Sequence, residues 1–231
     1  MEQGEKTLKE QTQIKRCNSV SKYNDRSKKY RQVVFSMPIV QKGPKRPFKS
    51  KLEHTEEEML EIKNKAISHA INAIRDYICT NTDLCYFVTY TLSPDKVPSR
   101  YDEKKIYELI RNWLANNVKN HGLKYILIAE HHKDGAWHFH GFVNKEIPWK
   151  LGFSFVRKLN RTRDLNASIR YITKYIAKEK TKFNGRYYLH SQNLVKPTIV
   201  HGYEDYTNLE CDYETVLPIG QGIGMKIKDF I

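Results

Sequence analysis

No apolar run in the sequence approaches the roughly 18–20 residues that cross a bilayer, so no membrane partner is expected. The first residues are polar and charged and lack an apolar h-region, which argues against a secretion signal. There are four cysteines, Cys17, Cys79, Cys85 and Cys211, and none forms a C-x-x-C pair. A zinc finger or a dithiol redox site is therefore not expected, and the thiols are read as reduced, in a cytoplasmic setting. Neither a phosphate-binding G-x-x-x-x-G-K-[ST] loop nor a G-x-G-x-x-G dinucleotide turn occurs, so no nucleotide-driven motor is recognisable. No segment repeats at a fixed period. Acidic residues are also in deficit, 26 Asp and Glu against 40 Lys and Arg.

That deficit leaves a formal net charge of +14. Such an excess points to a polyanionic partner, nucleic acid first and an anionic surface second, the plain alternative being a soluble basic surface. With 231 residues, 39% of them hydrophobic, the chain can bury one ordinary core and carry an appendage. The charge is uneven. Residues 1–53 hold 14 Lys and Arg against 5 Asp and Glu, and "QKGPKRPFKSK" (41–51) is too rich in proline and glycine for a helix interior. This segment reads as a basic, flexible N-terminal arm able to track phosphates. Residues 54–201 read as the catalytic domain and 202–231 as a C-terminal extension without an assigned role.

Order is expected from Thr55, where "TEEE" forms a capping box with Glu58 reaching back. A helix follows to about Thr80. "LCYFVTYTLS" (84–93) is β-branched and aromatic and reads as a buried strand. Residues 102–118 place Ile106, Leu109, Ile110, Trp113 and Leu114 on one helical stripe. "KYILIAEHH" (124–132) and "AWHFHGFV" (136–143) are strands joined by a "KDG" turn. A short strand near 153–159, a helix over about 165–178 and a strand at "RYYLH" (186–190) complete the reading. The fold class is α+β, a central antiparallel sheet flanked by helices.

Four histidines fall between Ala129 and Val143. In a strand His138 and His140 share one face, and Trp137 and Phe139 take the other. On the preceding strand Glu130 and His132 share a face while His131 opposes them. The hairpin can bring Glu130 or His132 beside the imidazole pair, giving a partial coordination shell with open positions. Mixed N and O donors suit Mg²⁺ or Mn²⁺ beside phosphate and would also accept zinc. The ordinary alternative is a half-buried strand whose polar face happens to be histidine.

In "RYITKYIAKEK" (170–180), Leu165, Ile169, Ile172 and Ile176 form an apolar stripe. Tyr171, Lys174, Tyr175 and Lys178 fall together on a neighbouring stripe. These are either tyrosines at a core margin with lysines in water, or a nucleophile with its cations. A phenol ionises near pH 10 and attacks poorly at neutrality; nearby ammonium groups and a cation-bound phosphate favour the phenolate and offset charge on phosphorus. Tyr90, Trp137 and Trp149 are candidates to stack bases, Trp137 equally a core residue, and Trp113 is core.

His138-Phe139-His140 followed by Tyr171-x-x-Lys174-Tyr175 resembles the rolling-circle replication initiators, the Rep endonucleases of the HUH (His–hydrophobic–His) superfamily. "FVTYTLS" is similar to the first motif of that family, and "NGRYYLHSQNLVKP" (184–197) to the segment after its tyrosine helix in proteins of bacterial plasmids and small single-stranded-DNA phages. The resemblance spans about 84–197. It implies a ferredoxin-like or RRM-like sheet, with His138, His140 and Glu130 as metal ligands and His132 competing with Glu130. Tyr171 and Tyr175 become the nucleophiles, with Lys174 and Lys178 beside them. It further implies nicking and rejoining of single-stranded or extruded origin DNA through a 5′-phosphotyrosine link, in the bacterial cytoplasm, with a host helicase and DNA polymerase as partners. Two other readings are a non-catalytic single-stranded nucleic-acid-binding module and an HUH transposase; the paired tyrosines weigh against the latter.

Overall fold

A computed structural model describes residues 54–179 and 182–201 continuously, with side chains over 54–160, 164–177 and 182–198, and isolated strands outside them. The chain divides into two compact units. One comprises Met1–Met59 with Thr198–Ile231. Its backbone pairs β1 (Thr12–Ile14) with β4 (Val40–Lys42). It also forms an antiparallel sheet in the order β10 (Thr198–His201), β2 (Ser19–Lys22), β3 (Tyr30–Phe35), β12 (Ile223–Phe230), β11 (Tyr213–Gly220). The other unit, Leu60–Pro197, carries the histidine hairpin and the tyrosine helix.

In that second unit α1 (Glu56–Thr80) leads in from the boundary. The expected capping box forms: Glu58 N donates to Thr55 Oγ1 at 3.2 Å, and Thr55 N donates to Glu58 Oε2 at 3.1 Å. Then come β5 (Tyr86–Leu92), α2 (Glu103–His121), β6 (Tyr125–His131), β7 (Trp137–Val143), β8 (Gly152–Lys158), α3 (Arg161–Glu179) and β9 (Leu189–His190). The sheet order is β8-β5-β7-β6-β9, antiparallel at every step. This is the expected α+β class, an open five-stranded antiparallel sheet with three helices, consistent with a ferredoxin-like arrangement.

Asp102 caps α2 by accepting from Lys105 N at 3.1 Å, and Gly122 closes the helix in the left-handed region, three residues beyond the expected end. The strand expected at 186–190 shortens to Leu189–His190. Asn184 and Gly185, both at positive φ, turn the chain there, and a single Phe183–Arg186 bridge replaces the ladder.

Period two in the central strands creates two different faces. Val88, Tyr90 and Leu92 of β5 join Trp137, Phe139 and Val143 of β7 in a core closed by Ile106, Ile110 and Leu114 of α2. The opposite face carries Thr89, Thr91, His138 and His140, and α3 lies over it, with Leu165, Ile169, Ile172 and Ile176 all buried. Tyr77 of α1 stacks on His190, which pairs with Ile126 on that same face. The sheet is thus covered on both sides, and the histidines sit beneath α3 instead of on open surface. Gly141, next to His140, is where strands approach most closely: a Cβ there would meet the Ile126 carbonyl oxygen at 1.9 Å.

Candidate functional site

The hairpin turn forms at Lys133–Gly135, with His132 N donating to Ala136 O at 2.8 Å and Gly135 at positive φ. This fixes the register, so Glu130 pairs with His138 and Ile128 with His140. Paired residues share a face, and the carboxylate therefore stands over the imidazoles. His140 Nε2 lies 3.4 Å from Glu130 Oε1. His132, one residue beyond β6, stacks on His138 with ring centroids 4.5 Å apart. His131 turns to the other face against Trp137.

Both imidazoles are held from behind by β5. Thr89 pairs with His140 and Thr91 with His138. Thr89 Oγ1 is 2.9 Å from His140 Nδ1, and Thr91 Oγ1 is 3.3 Å from His138 Nδ1. Whichever atom donates, each bond sets its ring and leaves Nε2 as the outward nitrogen. These threonines carry no role in the reading of the sequence. Their signal was present: T-x-T in "FVTYTLS" alternates in step with H-x-H.

Burial, helped by His132 and His140 nearby, holds His138 below the usual imidazole range. It is neutral near pH 7, as coordination requires. Glu130 Oε2 is buried and has no hydrogen-bond partner, an arrangement that costs free energy unless a cation or proton answers it. Two donors on one cation, with bonds of about 2.1 Å, stand about 3.0–3.4 Å apart, and the His140–Glu130 separation matches that. Among the described residues, no three His, Cys, Asp or Glu side chains already close around one point. The donor types and the His140–Glu130 spacing fit a divalent cation, and His138, opposite Glu130, is the third donor at hand.

The tyrosines arrive on α3. Tyr175 stacks on the His140 ring at 5.7 Å and 9°. The Tyr171 ring is 6.2 Å from His140 and 5.2 Å from Tyr175, and rests edge-on against Phe87. Tyr171 is 46% exposed, so its hydroxyl is open to a substrate. Lys174 is exposed, and the side chain of Lys178 lies outside the described residues. The structure thus brings Glu130, His138, His140, Tyr171 and Tyr175 to one face, although the tyrosines follow the hairpin by some thirty residues.

The aromatic residues proposed to stack bases are corrected. Tyr90 is 1% exposed and stacks on Trp149 at 4.6 Å, with Trp113 edge-on to both. Trp137 is buried against Phe183. All three candidates are core because α2 covers their face of the sheet.

Residues 85–180 match a family of replication-associated proteins, the ORF2 type, over a span holding the hairpin, the edge strand and the tyrosine helix. Searches of curated proteins and of solved structures found no match. The family match supports a role in replication initiation and an interaction with DNA. Among the described residues, no helix is long and apolar enough to cross a membrane.

Proposed function

We propose that this chain initiates rolling-circle replication by nicking single-stranded or extruded origin DNA through tyrosine transesterification, and rejoins strands at termination. The observation that carries this reading is the convergence of the Tyr171 and Tyr175 rings on His140, itself 3.4 Å from the Glu130 carboxylate. A divalent Mg²⁺ or Mn²⁺ held by His138, His140 and Glu130 would supply Lewis-acid polarisation of the scissile phosphate.

The chain's own residues do the rest. Thr89 and Thr91 orient the imidazoles. Tyr171 Oη bonds to phosphorus as the bond to the 3′ oxygen breaks, and the phenolic proton ends on the departing 3′ hydroxyl. One phosphodiester replaces another, so the step is reversible and the strand can be resealed. Lys174 offsets charge on the phosphate oxygens, with Lys178 one turn beyond it in sequence. Tyr175 attacks at the close of a round and releases a circle. A host DNA polymerase extends the freed 3′ end, and a host helicase opens the duplex.

Full-length protein incubated with origin single strands and manganese tests this. A DNA-linked tyrosine peptide in the mass spectrum is expected, and Tyr171→Phe with Tyr175→Phe should abolish it. An adduct formed by the double variant refutes the nucleophile assignment. Tight single-strand binding with no nicking in any divalent metal would instead leave the non-catalytic binding module.

A further inference from the structure

The edge strand β8 carries an unusual stripe. Phe153 pairs with Thr91 and Phe155 with Thr89, so both rings lie on the histidine face, two strands out from His138 and His140. They are 73% and 58% exposed. Leaving a phenylalanine in water forgoes about 1.5–3 kcal/mol of burial, and here two adjacent ones on one face do so. Arg157 continues the same face, opposite Phe87. Its Nη2 donates to Ser168 Oγ of α3 at 3.4 Å, which stations the guanidinium between sheet and helix.

Between them is a cavity of about 450 Å³ lined by Phe87, Thr89, Phe155, Arg157, Ser168 and Tyr171. That volume lies at the lower end of small-molecule sites and admits one nucleotide-sized group. Its lining includes the exposed tyrosine, so whatever fills it lies beside the attacking hydroxyl. An aromatic wall, a second aromatic step and a guanidinium are what an unpaired, negatively charged strand requires: rings for base faces and a fork of donors for a phosphate.

We propose that the β8 edge is the strand-selecting site. One unpaired base of the substrate enters the cavity against Phe155, the adjacent base stacks on Phe153, and Arg157 holds a phosphate of that segment. A duplex cannot present its base faces, so this site confers preference for single strands. The proposal rests on the nicking reading for what happens beside it, but the binding it describes is measured separately.

The test is fluorescence anisotropy of the full chain with a labelled short single-stranded oligonucleotide and with its duplex. Phe155→Ala and Phe153→Ala should each weaken single-strand binding by about 10-fold and leave duplex binding within about twofold. Phe153→Tyr should restore it, and Arg157→Gln should weaken it and reduce its salt dependence. Both phenylalanines are exposed, so unchanged melting curves are expected. Single-strand binding within twofold of wild type in the Phe153→Ala, Phe155→Ala double variant overturns the proposal. So does an equal loss on duplex, or a shift from dimer to monomer, which would make the stripe a contact between copies. If wild type forms no covalent adduct but the variants still lose single-strand binding, the nicking reading fails and this site stands. If adducts form and the variants bind as wild type, the reverse holds.

Discussion

Thr89 of β5 holds His140 of β7, Oγ1 to Nδ1, at 2.9 Å across the ladder. The contact lies behind the imidazole, on the side away from Glu130, so it sets ring orientation without occupying the nitrogen that faces the carboxylate. Replacing Thr89 with valine keeps the shape and removes the bond. On the proposed mechanism, nicking should fall about 10- to 100-fold and the manganese requirement should rise, while DNA binding stays unchanged. Titration of nicking rate against manganese is the measurement, and a wild-type curve would show that the threonine only packs.

Glu130 and His132 are equal candidates for the third donor in the sequence. The structure sets Glu130 beside His140 and stacks His132 on His138. Glu130→Ala should therefore abolish metal-dependent nicking, whereas His132→Ala should cost only a few-fold. Calorimetric Mn²⁺ binding to the two variants separates them; the opposite ranking would move the ligand role to His132.

Gly141 cannot accept a side chain where it stands, because the Ile126 carbonyl occupies the Cβ position. Gly141→Ala should destabilise the fold by about 3 kcal/mol or more through strand displacement. Urea denaturation would measure this. A loss below about 0.5 kcal/mol, the range of ordinary surface changes, would mean that β6 and β7 separate more easily than their register implies.

Tyr90 buries its hydroxyl without a hydrogen-bond partner, and burial raises its pKa to about 12. The folded state holds the proton more tightly than the unfolded chain, in which tyrosine titrates near pH 10. Its contribution is therefore present below about pH 10 and is lost as pH rises toward about 12. Tyr90→Phe should remove that alkaline loss and, by deleting an unsatisfied group, leave stability at neutral pH unchanged or raised by about 1 kcal/mol. Thermal melts at neutral and alkaline pH would show both effects.

His138 has the opposite sign. Its folded pKa lies below the unfolded value of about 6.5, so the unfolded chain takes up the proton first. Stability should fall as pH drops below about 6.5 and level off once the folded group is also protonated. His138→Gln should flatten that slope in metal-free denaturation series; an unaltered slope would assign it to other groups.

Much of this site is legible in the sequence because period two is strict in a hairpin. Once "KDG" is a tight turn, Glu130, His138 and His140 have to share a face. The capping box and the buried stripe of α3 are equally local signals. What local pattern does not carry is which face of a strand a helix later covers. Tyr90 and Trp149 look like base-stacking rings in the sequence, yet α2 closes over them. Phe153 and Phe155 carry no signal of their own there, because an alternating F-x-F reads the same in an edge strand as in a central one. "RYYLH" has strong β propensity, but its first residues follow the Asn184–Gly185 turn and only the last two pair with β6.

The turn that joins β6 to β7 has a temporal consequence. Glu130, His138 and His140 lie within one short hairpin, so their meeting depends on short-range contacts of the kind that form early. The phenols reach the same spot only after β8 has been added and α3 has docked across the sheet. On the proposed chemistry, a ribosome-bound chain would therefore assemble its cation cradle well before it could wound DNA, and the last helix to settle is the one that arms it.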